Sequence, residues 1–387
     1  MSVRTDAAAL AALDAPQGGV PAAPAKPGGK GLSPIRIGNV TLETPLVVAP
    51  MAGMTDSAFR RLVKRQGGCG LVVTEMVSAD GLVRGIDRTL EYAEYTEEER
   101  PVSIQIFGGD PAKMAEAARI VQGLGADIVD VNMGCPVQKI AKHNAGCSLM
   151  REPAHAAAII EAMARAVTIP VTAKMRAGWN DRERNAPELA RRLADAGASA
   201  VTVHGRTAEQ SYSGFADWDL VRRVQDAVDI PVLGSGDCVE TGQILEKLDS
   251  SVVGVLVGRG VLRNPWILAN TARAAAGEAV VEVSLLERGQ FLLDYIDLLL
   301  QEGVGEASGF RHQAVAPSGR VVHQNREKWV VNKIRALCSW YTKGMEGGAR
   351  LRAHINTLSD LPALRRELRF GLLNEPVRSP VLISPPE

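Results

Sequence analysis

The chain reads as an α/β protein, a (β/α)8 TIM barrel followed by a smaller C-terminal helical domain. Three observations predict this. Eight short apolar runs recur from Leu46 onward, each separated from the next by enough chain for a crossover helix, as parallel strands require. The runs are continuous rather than alternating, which argues for strands covered on both faces. After Ser284 the runs stop and the periodicity becomes helical.

The expected strands are 46–51, 71–76, 102–107, 128–132, 170–175, 200–204, 230–233 and 254–257. The stretches between them carry helix signals. Residues 112–123 place Met114, Ala118 and Val121 on one face, and 186–196 run into Gly197 as a stop. Asp56 suits the N-cap of a helix over 57–66, with Arg60, Arg61, Lys64 and Arg65 as its solvated face. In the C-terminal part, helices are expected over 291–300 and 327–341. Val330, Ile334, Leu337 and Tyr341 form the apolar stripe of the second, with Lys328 and Arg335 off it.

A length of 387 residues suits a barrel of about 250 residues plus a smaller unit. Residues 1–33, rich in Ala, Pro and Gly, read as a disordered tail. The barrel is expected over 34–283 and the helical domain over 284–370, with a Gly/Pro-bearing loop at 302–322. An extended tail, 371–387, follows.

Composition is that of a soluble globular chain, 46% hydrophobic and 23% charged. No apolar stretch approaches the ~18–20 residues of a membrane span, and the N-terminus makes a poor signal peptide. The five cysteines, 69, 135, 147, 238 and 338, are scattered without a CxxC pair. No metal site is expected from them, and a reducing cytoplasm fits. A monomer is the default expectation. Net charge is zero but uneven: residues 311–370 hold 12 Lys and Arg against 4 Asp and Glu, a net of +8, while 1–310 carry −7. A basic module on an acidic body points to an anionic macromolecular partner.

In a barrel, chemistry gathers where strands end. The first run ends in Pro50-Met51-Ala52-Gly53, and the third carries Gln105. The fourth delivers Asn132 and then Cys135, just before Pro136; the fifth carries Lys174 and Arg176. The sixth ends in His204-Gly205-Arg206, the seventh in Gly234-Ser235-Gly236-Asp237, and the eighth in Gly258-Arg259-Gly260. Glycine turns after strands seven and eight are a recurrent phosphate site in this architecture. Lys174 and Gln105 interrupt buried strands, where a cation needs an anion or acceptors and an amide suits the edge of a flavin or a base. His204 fits a ligand contact, a base or a packed side chain. Cys135 stands apart from the other cysteines by its place at a strand's end, and is a candidate proton donor.

Seven of these segments, P-M-A-G-M-T-D (50–56), Q-I-F-G (105–108), N-M-G-C-P-V (132–137), A-K-M-R-A-G-W (173–179), H-G-R-T (204–207), G-S-G-D (234–237) and G-R-G (258–260), resemble the tRNA-dihydrouridine synthases, and among them the B-type branch. The resemblance implies FMN at the barrel mouth, with NADPH as hydride donor. Pro50, Met51 and Ala52 would line the flavin, and Gln105, Lys174 and His204 would contact its ring. Ser235, Gly236, Asp237, Gly258 and Arg259 would hold its phosphate end. Asn132 would position the flavin or the uracil, Arg176 and Arg206 would meet the substrate, and Cys135 would be the general acid. The tRNA would be gripped by Lys328, Lys333 and Arg335. Two other readings stay open: an FMN barrel acting on free pyrimidines, of dihydroorotate or dihydropyrimidine type, and a tRNA-binding protein without catalysis.

Overall fold

The computed structural model describes residues 31–137, 140, 144–249, 252–301, 306–313 and 326–373. The expected N-terminal tail therefore lies almost wholly outside the described residues, as does most of 371–387. Residues 371–373 are not extended; they continue the helix Leu361–Leu373.

Two short strands, β1 (Ile35–Ile37) and β2 (Val40–Leu42), form an antiparallel hairpin. The ring follows: β3 (Leu46–Val48), β4 (Leu71–Val73), then, after the short β5 (Val77–Ser78) and β6 (Tyr95–Thr96), β7 (Val102–Phe107) and β8 (Ile128–Met133). It continues with β9 (Val171–Arg176), β10 (Ala200–His204), β11 (Val232–Ser235) and β12 (Gly254–Val257). All ring pairings are parallel. β12 pairs with β3, and β4 with β7, so the eight strands close on themselves. This is the (β/α)8 barrel that the run spacing implied.

Helices cover the outside. In Pro111–Gly123, Asp110 caps the N-terminus by accepting from Ala112 and Lys113, and Pro111 occupies the first turn, where no donor is missed. Its Met114, Ala118 and Val121 are fully buried, each such side chain contributing about 1–3 kcal/mol. Asp56 caps Ser57–Gln66 through the Phe59 N–H at 2.9 Å. The face expected to be solvated is so only in part: Arg65 is exposed, but Arg60 and Arg61 are buried, and Arg60 pairs with the buried Glu99 at 2.6 Å. Glu99 also accepts from Ser57 and Thr96, and Arg60 also donates to the Thr55 and Glu94 carbonyls, so both charges are satisfied within the protein.

The strands differ from the sequence reading in one respect that matters for chemistry. Their outer faces are apolar, but the inner faces of β8 and β9 alternate into polar residues, Asp130 and Asn132 on one and Thr172 and Lys174 on the other.

The described residues fall into two compact units. One holds the barrel together with 306–313; the other holds the helices Leu285–Gln301, Arg326–Tyr341, Gly348–Thr357 and Leu361–Leu373. In the helical unit, Val330, Ile334, Leu337 and Tyr341 are all buried. The segment expected to be a plain loop contains β13 (Arg311–His312), which pairs antiparallel with β6. Arg61 reaches Glu306 at 2.9 Å, and His312 stacks on Tyr95.

Candidate active site

The barrel lining changes character from one end to the other. Toward the N-terminal ends of the strands, Leu71, Ile128 and Ala200 pack with Ile37 and Leu42 of the hairpin, which plugs that end. Further along the strands the lining includes Ser103, Asp130, Thr172, Thr202 and Lys174. Gln105, Asn132 and His204 occupy the next inward positions. The polar groups predicted from strand ends are thus gathered at the C-terminal mouth.

Cys135 sits in the loop after β8. The Asn132 Oδ1 accepts the backbone N–H of Gly134 at 3.1 Å and of Cys135 at 2.9 Å. On the other side, the Cys135 carbonyl accepts from the Cys147 N–H at 3.1 Å. A Cβ on Gly146 would come within 2.8 Å of that carbonyl, and its φ of +62° favours glycine, so Gly146 is part of the cysteine's seat. Burial pushes the Cys135 thiol above its ordinary value; the Val137 N–H and the cations of Arg176 and Lys174 offset part of this. The thiol is therefore the resident form at neutral pH.

Asn132 is an internal organiser. Its amide Nδ2 donates to Gln105 Oε1 at 2.8 Å and also faces Met76 Sδ, so both donors are used within the protein. Gln105 is fully buried and donates to Asp130 Oδ2 at 2.7 Å, which leaves it one N–H for a ligand. Lys174 is half-buried beside them. Burial first, then Arg176, lower its ammonium to about 8, against the pull of Asp130 and Cys135. Among the described residues its ammonium has no hydrogen-bond acceptor. His204 is held well below its ordinary value by burial and by the cations of Arg176, Lys174, Arg206 and Arg259. Arg206 Nη1 faces His204 Nε2 at 3.4 Å; a guanidinium can only donate, so Nε2 is the acceptor and the proton of the neutral ring lies on Nδ1.

The two glycine turns differ. Gly236 has φ +120°, and a Cβ there would strike Ala216 at 2.5 Å, so the backbone itself requires it. At Gly258 a Cβ would meet only Met51 Sδ at 3.6 Å and Ala49 at 3.7 Å, so packing alone leaves room there. Ser235 donates to the Leu256 carbonyl at 3.0 Å, tying the two strands. Asp237 does not turn toward an anion. Its carboxylate accepts from Arg206 at 2.7 Å, from the Ala216 N–H at 2.7 Å and from Arg259 at 3.4 Å. A like charge would repel a phosphate, so its part is to align the guanidinium of Arg259. The first loop, with Pro50, Met51 and Ala52, is held by Glu75, which accepts the Gly53 N–H at 2.5 Å, and by Thr55 Oγ1, which accepts the Met51 N–H at 3.0 Å.

Two arginines expected at the substrate are braces. Arg176 is buried and donates to the carbonyls of Gly134, Thr207 and Ser211 at 2.8, 3.0 and 2.8 Å. Arg206 is buried and gives itself to Ser213, Gly214 and Asp237. In the helical unit, Arg335 donates to the carbonyls of Ile355 and Leu358 and so pins two helices. Lys328 is exposed, and Lys333 lies over the Trp329 ring at 5.5 Å. Asp130, Glu75 and Gly146 were missed from sequence. The signal for Asp130 was present: it is a charge inside an apolar strand, as Lys174 is.

The site is thus the mouth of a closed parallel barrel that carries a protonated thiol, a half-buried cation and glycine turns after its last two strands. The family model for dihydrouridine synthase matches residues 47–370, and the chain belongs to that family. A probable tRNA-dihydrouridine synthase of Rickettsia bellii is 36% identical over 337 residues, 86% of this chain and 96% of that relative. The tRNA-dihydrouridine synthase B of Pseudomonas aeruginosa is 36% identical over 335 residues, 86% of this chain and 94% of its own. Among solved structures, 6-hydroxypseudooxynicotine amine oxidase from Pseudomonas geniculata aligns with a TM-score of 0.50 at 14% identity, over 68% of this chain and 52% of its own, a likeness of fold. Membership makes the chain an oxidoreductase of tRNA processing. No helix among the described residues is long and apolar enough to cross a membrane.

Proposed function

We propose that the chain reduces the C5=C6 bond of a uridine in the D-loop of tRNA to 5,6-dihydrouridine, with FMN at the barrel mouth, NAD(P)H as reductant and Cys135 as the acid that protonates C5. The observation that carries this is the setting of Cys135: a thiol kept protonated by burial, on a loop locked by Asn132, beside the Lys174 cation.

The mouth fits a flavin. Lys174 is a half-buried cation whose ammonium has no acceptor among the described residues, and an electron-rich ring edge supplies one. Gln105 retains one N–H for the same edge, and Gly258 leaves space that packing does not require. Pro50, Met51 and Ala52 would lie along the ring, with His204 at its polar side. Ser235, Gly236, Gly258 and Arg259 would hold the phosphate, with Asp237 orienting Arg259. When bound, FMN recharged by NADPH supplies a hydride for C6.

The protein's own residues do the rest. A stacked uridine cannot present C5 and C6, so the base must leave its loop and enter the mouth. Lys328 and Lys333 of the basic helical unit suit the phosphates of the RNA. Cys135 holds its proton until C5 becomes basic and then delivers it. A thiolate-stabilising pocket would defeat that role, and burial provides the opposite.

Cys135→Ala tests the reading. It should keep FMN and oxidise NADPH while forming dihydrouridine about 10²–10⁴-fold more slowly, the range for a lost general acid. Normal product yield would remove Cys135 from the mechanism. Turnover of free uracil or dihydroorotate in place of tRNA would point to a free-pyrimidine dehydrogenase.

A further inference from the structure

We infer that Asp130 is a positioning residue that sets the orientation of Cys135 through a hydrogen-bond chain crossing β9, β8 and β7. Thr172 Oγ1 donates to Asp130 Oδ1 at 2.6 Å, and Gln105 Nε2 to Asp130 Oδ2 at 2.7 Å. Asn132 Nδ2 donates to Gln105 Oε1 at 2.8 Å, and Cys135 N donates to Asn132 Oδ1 at 2.9 Å. Every link from Asp130 to Asn132 is buried, so none can exchange its partner for water at no cost.

The direction of the chain is the physical point. An amide side chain can present either its oxygen or its nitrogen, and two amides in series have more than one self-consistent arrangement. An ionised carboxylate only accepts. Asp130 therefore forces Gln105 to turn its nitrogen inward and its oxygen toward Asn132. Asn132 must then offer its nitrogen to Gln105 and its oxygen to the Gly134 and Cys135 N–H groups, which can only donate. The two ends agree, and the cysteine loop is held in one state. Burial raises the Asp130 carboxyl above its ordinary value; the hydrogen bonds from Gln105 and Thr172 and the cation of Lys174, in register with Asn132 on β9, pull the other way and favour the ionised form.

The inference rests on the reading of Cys135 as the proton donor, but its test does not depend on turnover. The rate of alkylation of Cys135 by iodoacetamide, followed by mass spectrometry of its peptide in the holoenzyme, reports the thiol's setting directly. Asp130→Ala and Asn132→Ala should each change that rate by about tenfold, the factor that one lost buried hydrogen bond is worth. Asp130→Ala combined with Asn132→Ala should change it no further than either alone, because both cut one chain. Asp130→Asn has one oxygen for two donors and no longer fixes which way Gln105 turns, so its rate should lie between those of the wild type and Asp130→Ala. If Asp130→Ala does not fold, Gln105→Ala cuts the same chain one link on and closes the same cycle. Effects that multiply in the double variant, or an Asp130→Ala rate equal to that of the wild type, would overturn the inference. Wild-type enzyme that makes no dihydrouridine while the cycle is non-additive would sink the function and leave the chain. Product formation with a multiplicative cycle would sink the chain alone.

Discussion

Asn132 and Lys174 are register partners on adjacent parallel strands, and both face the barrel axis at the level where its lining turns polar. The amide is spent on Gln105 and the cysteine loop, while the ammonium is not spent on any acceptor among the described residues. The same layer thus supplies one group that builds the site and one that is left for the proposed cofactor.

Lys174→Met should therefore cost cofactor rather than fold. Its FMN dissociation constant should rise at least about tenfold, the worth of one charge-assisted hydrogen bond, measured by quenching of flavin fluorescence on titration into apoprotein. The pH dependence has a sign. With the ammonium lowered to about 8, the cation is present below that value and lost above it, so wild-type affinity should fall as pH rises through about 8. A wild-type affinity that is flat from pH 7 to 9 would count against the contact.

The Cys135 thiol gives a second pH signature. Burial raises its pKa, so the proton proposed for C5 is present through neutral pH and is lost only on the alkaline side of the ordinary value of about 8.5. Single-turnover dihydrouridine formation should hold level from pH 6 to 8 and decline only beyond that. A decline that begins near neutrality would mean a thiolate-stabilising site.

Gly258→Ala and Gly178→Ala should separate ligand space from backbone necessity. At Gly178 a Cβ would fall 1.9 Å from the Glu183 carbonyl oxygen, a rigid partner, and the variant should lose about 2 kcal/mol or more in urea unfolding. At Gly258 the new methyl meets ordinary contacts, so stability should change by less than about 0.5 kcal/mol. FMN affinity should nevertheless fall. Unchanged affinity in Gly258→Ala would move the phosphate elsewhere.

The basic helices divide in the same way. Lys328→Ala and Lys333→Ala should each reduce the slope of log affinity for tRNA against log salt by roughly 0.7–0.9, as one fewer phosphate contact does. Arg335→Ala should instead lower the melting temperature of the protein, because its guanidinium donates to the carbonyls of Ile355 and Leu358. A salt slope unaltered by both lysine changes would place the RNA on another face.

Arg60 and Glu99 form a buried pair at 2.6 Å that also fixes the Thr55 carbonyl, at the end of the first active-site loop. Removing one partner leaves the other charge unmatched. Glu99→Leu should cost about 3–5 kcal/mol in denaturant unfolding, and a loss under about 1 kcal/mol would show the pair to be solvated.

The ring of strands, the capped helices and the cysteine at a strand's end were all legible in the chain, because each rests on neighbours a few residues away. Apolar runs mark strands, Asp56 sits one residue before its helix, and glycines mark turns. The family motifs lie in the same short segments. What the linear chain left open was where each charge ends up. Arg60 and Arg61 looked like solvent-facing cations until Glu98, Glu99 and Glu306 arrived from distant segments. Arg176 and Arg206 looked like substrate contacts until carbonyls of neighbouring loops used their donors. Asp130 was passed over because its value depends on Gln105 and Thr172, on the two strands flanking its own. A charged side chain has no fixed meaning until its solvent and partners are known, and closure of the barrel supplies both.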